Sequence, residues 1–245
     1  MESIKELEKK CGAKYGVSWA DDLRMKLSIH FTRIILYTHL TPNQLTTLGL
    51  ILGILSSVFF ARGEYFYSLI GILFLNISVF LDWIDGSVAR YKKMCSLRGY
   101  YLDILAYEIV TPLIIIGLSI GAYFNNLFGI PGLVYLITGL FAAFSIMINS
   151  GVKYSKYRLY IKSKDFPGLE RYIKEDIEHT REGKKGFKNK TKEFIKEFFR
   201  VCRSFNAIFF FGVFNLLPIL VLIYGILFSF NTFKNIINEI TIITN

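Results

Sequence analysis

Six apolar runs, at roughly 43–61, 66–90, 99–123, 131–152, 197–215 and 217–238, dominate this chain. Each is close to the roughly 20 residues that a helix needs to cross a bilayer. Inside lipid the backbone must satisfy its own N–H and C=O groups, and runs this long and apolar do so as helices. The fold expected is an all-α integral membrane protein with six transmembrane helices. Composition agrees: 53% of residues are hydrophobic and only 20% charged. That balance excludes a soluble enzyme, a disordered tail and a disulfide-stapled secreted module.

The run edges are Arg62-Gly63-Glu64, the basic stretch Arg90 to Arg98, Asn125-Asn126, and the charged segment after Gly151. From Ser204 to Phe230 the chain is almost continuously apolar. Only Asn215 and Pro218 suggest a turn there, and because Phe194 to Phe199 adds an amphipathic turn that extends the fifth helix toward the cytosol, the stretch is read as two spans rather than one long tilted helix. Lys92, Lys93 and Arg98 crowd the second connection, and Lys153, Lys156 and Arg158 open the fourth, whereas the first holds Arg62 and the third no basic residue. Basic loops face the cytosol. This places the N-terminus and the second and fourth connections there and accounts for most of the net charge of +10. Nucleic-acid binding is not needed to explain that charge; the partner expected is the lipid bilayer and its anionic head groups. The N-terminal MESIKELEKK lacks an apolar core, so no cleaved signal peptide is expected.

Four segments follow. Residues 1–40 form a cytosolic or interfacial N-terminal segment. Within it Leu23, Leu27, Phe31, Ile34 and Ile35 recur at helical spacing, with Arg24, Lys26, His30 and Arg33 mostly elsewhere on the wheel. That is the pattern of an amphipathic helix in the head-group layer, with Trp19 as an anchor. Residues 41–152 carry the first four spans, opened by Thr41-Pro42-Asn43-Gln44, a capping box with proline at the first helical position. Residues 153–196 read as a charged cytosolic insert, helical over about 168–180 and 190–200. Residues 197–245 carry the last two spans. Cys11, Cys95 and Cys202 follow no metal-ligand spacing.

The chemistry concentrates in FLDWIDGSVARYKKMCSLRGYYLDILAYE, residues 80–108. A charged carboxylate at the centre of a membrane helix costs about 2.5–3.5 kcal/mol on insertion scales, and neighbouring carboxylates also repel. At about 100° per residue, Asp82 and Asp85 share one helix face with Gly86 and Ala89. Asp85 and Asp103 lie at similar distances from the facing ends of spans two and three, so an antiparallel pair brings them to one depth. Hard oxygen ligands at one level describe a divalent-cation site for Mg²⁺ or Mn²⁺. Gly86 and Ala89 leave room for a flat ligand near the backbone, and Arg90 and Arg98 are placed to meet phosphate. An ion path is the poorer reading, since pores distribute such groups along the membrane rather than at one edge.

These residues resemble the signature of the CDP-alcohol phosphatidyltransferase family, D-x2-D-G-x2-A-R followed, after eight or nine residues, by G-x3-D-x3-D. Asp82, Asp85, Gly86, Ala89, Arg90, Gly99 and Asp103 match it in register, and Thr41 to Thr46 resembles the family's lead into the first span. The resemblance implies transfer of a phosphatidyl or other phospho-alcohol group from a CDP-linked lipid donor to a small hydroxyl acceptor, with release of CMP, in phospholipid biosynthesis. It implies that Asp82, Asp85 and Asp103 hold Mg²⁺, that Asn43, Gly86, Ala89, Arg90 and Gly99 form the donor site, and that the protein is a homodimer with its active site facing the cytosol. The family's fourth aspartate falls at Tyr107, with Glu108 adjacent but turned by about 100°. Three options follow: Tyr107 or Glu108 substitutes, Asp103 covers both roles, or the protein is a catalytically impaired relative that binds CDP-lipid or scaffolds lipid-synthesis enzymes. Lys153 and Arg203 are the candidates to hold a phosphorylated acceptor; both also serve as positive-inside flanks.

Overall fold

The computed structural model describes residues 4–12, 19–125, 127–163 and 205–244, and among these the chain forms helices and no strand. In order they are α1 (Ile4–Cys11), α2 (Trp19–Ile35), α3 (Pro42–Phe60), α4 (Tyr65–Tyr91), α5 (Leu97–Phe124), α6 (Gly132–Ser163), α7 (Phe205–Val213) and α8 (Leu217–Thr244). Five of them are long and apolar enough to span a membrane, over Pro42–Phe60, Tyr65–Tyr91, Leu97–Phe124, Gly132–Val152 and Leu217–Ile237. Their ends lie within two residues of the apolar runs. The fifth run is described only from Phe205, as the short apolar α7. The break expected at Asn215 is present: Asn215 adopts φ 58° and α8 starts at Leu217. The expected helices over 168–180 and 190–200, Arg200 and Arg203 lie outside the described residues, as do the side chains of Trp19, Leu23 and Lys153.

Helix α3 starts where its cap dictates. The Thr41 backbone N–H donates to Gln44 Oε1 at 2.9 Å, the Gln44 N–H donates to Thr41 Oγ1 at 3.4 Å, and Pro42 opens the helix. Two orphan donors are thus satisfied at the end nearest the motif.

Small residues then set how closely the helices pack, since in lipid association rests on backbone proximity and interhelical hydrogen bonds. Between α3 and α4, Ser78 donates to the Gly49 carbonyl at 2.7 Å and Ser56 to that of Gly71 at 2.9 Å. Between α3 and α5, Gly117 and Gly121 lie directly against the Ser57 and Phe60 carbonyls. Helix α6 meets α8 through a polar ladder: Asn149 donates to Thr232, Thr232 to the Ser145 carbonyl at 3.0 Å, and Asn235 to Asn149 at 2.9 Å. Helix α7 is fastened to α4, with Tyr65 donating to the Val213 carbonyl at 2.8 Å. The core between them is built from Phe60, Leu75, Ile114, Tyr135, Ile208 and Leu220 with their neighbours.

Helix α2 buries a different stripe from the one its hydropathy emphasises. Met25, Ser28, Ile29 and Thr32 face the protein, while Leu27, Phe31 and Ile34 remain exposed. The exposed apolar stripe is the one assigned to the head-group layer, and Phe31 joins it to α4 through an edge-on contact with Phe80 at 5.2 Å.

Candidate active site

Three helices converge at one end of the bundle. Helix α4 carries Asp82 and Asp85, α5 carries Asp103, and the start of α3 supplies Asn43 and Thr46. The turn after α4 is fixed by Lys93 in the left-handed region at φ 53° and by the Met94 N–H donating to the Ala89 carbonyl at 2.9 Å. Ser96 then caps α5, accepting from the Gly99 N–H at 3.1 Å. Lys92 reaches back to donate to the carbonyls of Leu40 at 3.0 Å and Thr38 at 3.3 Å. The segment leading into α3 is thereby tied to the end of the motif helix.

Asp82 is exposed, Asp103 half-buried, and Asp85 only 7% exposed. The Asp82 and Asp103 carboxyls come close together between α4 and α5, which both pack on α3, and Asp85 is near enough for its charge to act on both. Two carboxylates held that close repel unless a proton or a cation lies between them. Thr46 donates to Asp85 Oδ2 at 2.5 Å. As the side chains are placed, no three Asp, Glu, His or Cys groups among the described residues surround a single point. The donor set, carboxylates beside a hydroxyl, nevertheless suits a hard divalent cation such as Mg²⁺. An ion between Asp82 and Asp103 would relieve their repulsion, with the charge of Asp85 beside them.

The other predicted residues divide. Asn43 meets the motif: a Cβ on Gly99 would lie 3.1 Å from Asn43 Oδ1. The face of Gly86 is not bare, because Arg90 folds back over it; a Cβ there would lie 3.4 Å from Arg90 Nη1. Ala89 is half-buried and Arg98 exposed. Tyr107 is 56% exposed. Glu108 is turned away from the aspartates, accepting from Tyr154 on α6 at 3.5 Å. Desolvation and then the Glu108 carboxylate hold the Tyr154 hydroxyl above the ordinary tyrosine value. Glu108→Gln is therefore expected to leave divalent-cation affinity at the aspartates within about threefold of the parent's, as checked by calorimetric titration.

Thr46 is the site residue that sequence reasoning passed over. It stands in the Thr41–Thr46 stretch, one helical turn after Pro42, which is the signal that could have found it. Thr46→Val leaves a buried carboxylate short of one donor. It is expected to weaken Mg²⁺ binding about tenfold, as for loss of an outer-shell partner, with Thr46→Ser restoring it; calorimetric titration of Mg²⁺ measures both.

The family model for CDP-alcohol phosphatidyltransferase matches residues 39–163, slightly more than half of the chain. Three curated relatives align with parts of it. The inner membrane protein YnjF of Escherichia coli is 33% identical over 36% of this chain and 43% of its own length. A bifunctional IPC transferase and DIPP synthase of Aquifex aeolicus is 40% identical over 26% of this chain and 14% of its own. An archaetidylinositol phosphate synthase of Pyrococcus horikoshii is 34% identical over 34% of this chain and 42% of its own. The chain thus spans less than half the length of each of these relatives.

Proposed function

We propose, because this chain belongs to the CDP-alcohol phosphatidyltransferase family, that it transfers a phosphatidyl or other phospho-alcohol group from a CDP-linked lipid to a small hydroxyl acceptor, releasing CMP. The observation that carries this reading is the gathering of Asp82 and Asp85 on α4 with Asp103 on α5. The family generally depends on a divalent metal, and Asp82, Asp85 and Asp103 would hold Mg²⁺ or Mn²⁺ here. Bound there, the ion would offset the charge of the donor's diphosphate.

The remaining work falls to this chain's side chains. Arg90 and Asn43 orient the donor's phosphates, and Gly99 lets Asn43 approach. The acceptor's hydroxyl oxygen forms a bond to the phosphorus bearing the lipid, the bond from that phosphorus to the CMP oxygen breaks, and CMP departs. Asp103 takes the hydroxyl proton, since Glu108 is committed to Tyr154 and an unperturbed tyrosine is a poor base at neutral pH. The site faces the cytosol, where Lys92, Lys93 and Arg98 collect. The exposed stripe of α2 lies in the head-group layer. A homodimer is the assembly that the family resemblance implies.

The replacement at Tyr107 supports one competing reading, a relative that binds CDP-lipid without ordinary turnover. Mass spectrometry of the lipid product decides between them. The protein is offered CDP-diacylglycerol with inositol phosphate, glycerol phosphate, inositol or serine. Inositol phosphate comes first because the Pyrococcus relative's name contains it and Lys153 and Arg203 would hold its phosphate. One new phospholipid is expected. No product with any acceptor, alongside measurable CDP-lipid binding, would favour the binding protein, and Tyr107→Asp would then raise turnover.

A further inference from the structure

Helix α1 is short, charged and unremarkable in the sequence, yet it is docked on the motif. Its Leu7 and Cys11 are buried with Met25 and Ile29 of α2, against Trp83 and Tyr91 of α4. Trp83 directly follows Asp82, and Tyr91 directly follows Arg90. The Lys10 ammonium lies 5.6 Å from the centre of the Tyr91 ring, an attraction that adds to the apolar contact. At its carboxyl end the Cys11 carbonyl accepts a hydrogen bond from Arg90 Nε. Carbonyls at a helix's carboxyl end carry partial negative charge and favour a cation.

Gly12 makes that contact possible in two ways. Its φ of +63° turns the chain away at the end of α1, a conformation that glycine adopts without strain. It also lacks the Cβ that would lie 3.3 Å from Arg90 Cδ and 3.4 Å from Nε. Arginine has three nitrogens in a fixed fork. With Nε committed to Cys11, Nη1 and Nη2 are the ones over Gly86, where a Cβ would lie 3.4 and 3.7 Å from them. Two parallel N–H groups on one edge of a guanidinium are what a phosphate accepts bidentately.

We propose that the carboxyl end of α1, Cys11–Gly12, is a positioning element of the donor site, holding Arg90 by Nε so that its terminal amino groups face the donor's phosphate. The inference rests on the donor reading above and assigns the N-terminal segment a part in it. It makes α1 a piece of the site.

The test uses the full-length protein in detergent. Gly12→Val should raise KM for CDP-diacylglycerol about tenfold with less change in kcat, and Leu7→Asp, which undocks α1, should do the same. In an Arg90→Ala background Gly12→Val should add less than about twofold, because the residue it acts through is gone. Equal losses in both backgrounds, or an unchanged KM in both Gly12→Val and Leu7→Asp, would overturn the proposal. A readout independent of turnover is the phenylglyoxal modification of Arg90, followed by peptide mass spectrometry. Modification should run about threefold faster in Gly12→Val than in the parent, and CDP alone should slow it in the parent more than in the variant. If the parent never turns over a CDP-lipid, the functional reading fails by itself. The modification rates then still decide: equal rates and equal CDP protection would overturn the role of α1.

Discussion

Asp103→Asn is expected to reduce CMP release by about 10³-fold, and Asp82→Asn by a similar factor, while neither variant loses stability. The two parts of this expectation come from one geometry. Asp82 and Asp103 approach between α4 and α5 closely enough for their charges to act on each other, with the charge of Asp85 beside them. Asparagine has the same shape as aspartate and keeps a hydrogen-bonding group there, so the helices have no reason to part. It removes one of the repelling charges, so without Mg²⁺ the variants should melt at or above the parent's temperature. A cluster that is unfavourable in the empty fold, and needed for turnover, is the pattern expected of a site kept for function rather than stability. Thermal melts with and without Mg²⁺ check this independently of activity. The parent should gain stability from the ion by mass action, and the asparagine variants should gain little. Melting temperatures that fall sharply in both variants would instead make the aspartates structural.

The second large effect concerns the α3–α5 contact that brings those carboxylates into register. A Cβ added at Gly117 would lie 2.2 Å from the Ser57 carbonyl oxygen, and one at Gly121 would lie 2.1 Å from that of Phe60. Neither obstacle is a flexible side chain; both are backbone, so the helices themselves must separate. Gly121→Val should therefore cost about 3 kcal/mol or more, the upper end of overpacking penalties. That corresponds to a fall in melting temperature of about 6–12 °C for a chain of this size. Gly151→Ala is the contrasting change. Gly151 is helical with open space around it, and alanine there should leave stability unchanged or raise it by about 0.5–1 kcal/mol. Similar melts for the two variants would mean that the close approach of α3 and α5 is not what the fold depends on.

What could be read from the sequence was whatever depends on neighbours along the chain. Span limits follow from runs of apolar residues, the start of α3 from Thr41 and Gln44 three residues apart, and the break before α8 from Asn215 and Pro218. The motif's spacing puts Asp85 and Asp103 at similar distances from the ends of successive helices, but it does not show that Asp82 is the one that comes closest to Asp103, because α4 and α5 each pack on α3. Contacts between distant segments left no such trace. Thr46 and Asp85 are 39 positions apart, and no local period links them. Arg90 reads as a free phosphate ligand until α1, 79 positions earlier, is seen to accept from it. Helix α2 shows why hydropathy alone misassigns faces: its most apolar stripe is exposed, and the buried one includes Ser28 and Thr32. A helix beside a membrane has two apolar surroundings, and the sequence does not say which stripe meets protein.

The measurement that bears most directly on the central claim is CMP release by the purified protein from CDP-diacylglycerol, with Mg²⁺ and with the metal chelated, in the presence of the acceptor panel. Release that requires both Mg²⁺ and one acceptor, and that is lost in Asp103→Asn, is the result predicted. Release that is indifferent to chelation, or that persists at the parental rate in Asp103→Asn, would contradict the assignment of this carboxylate cluster as the active site.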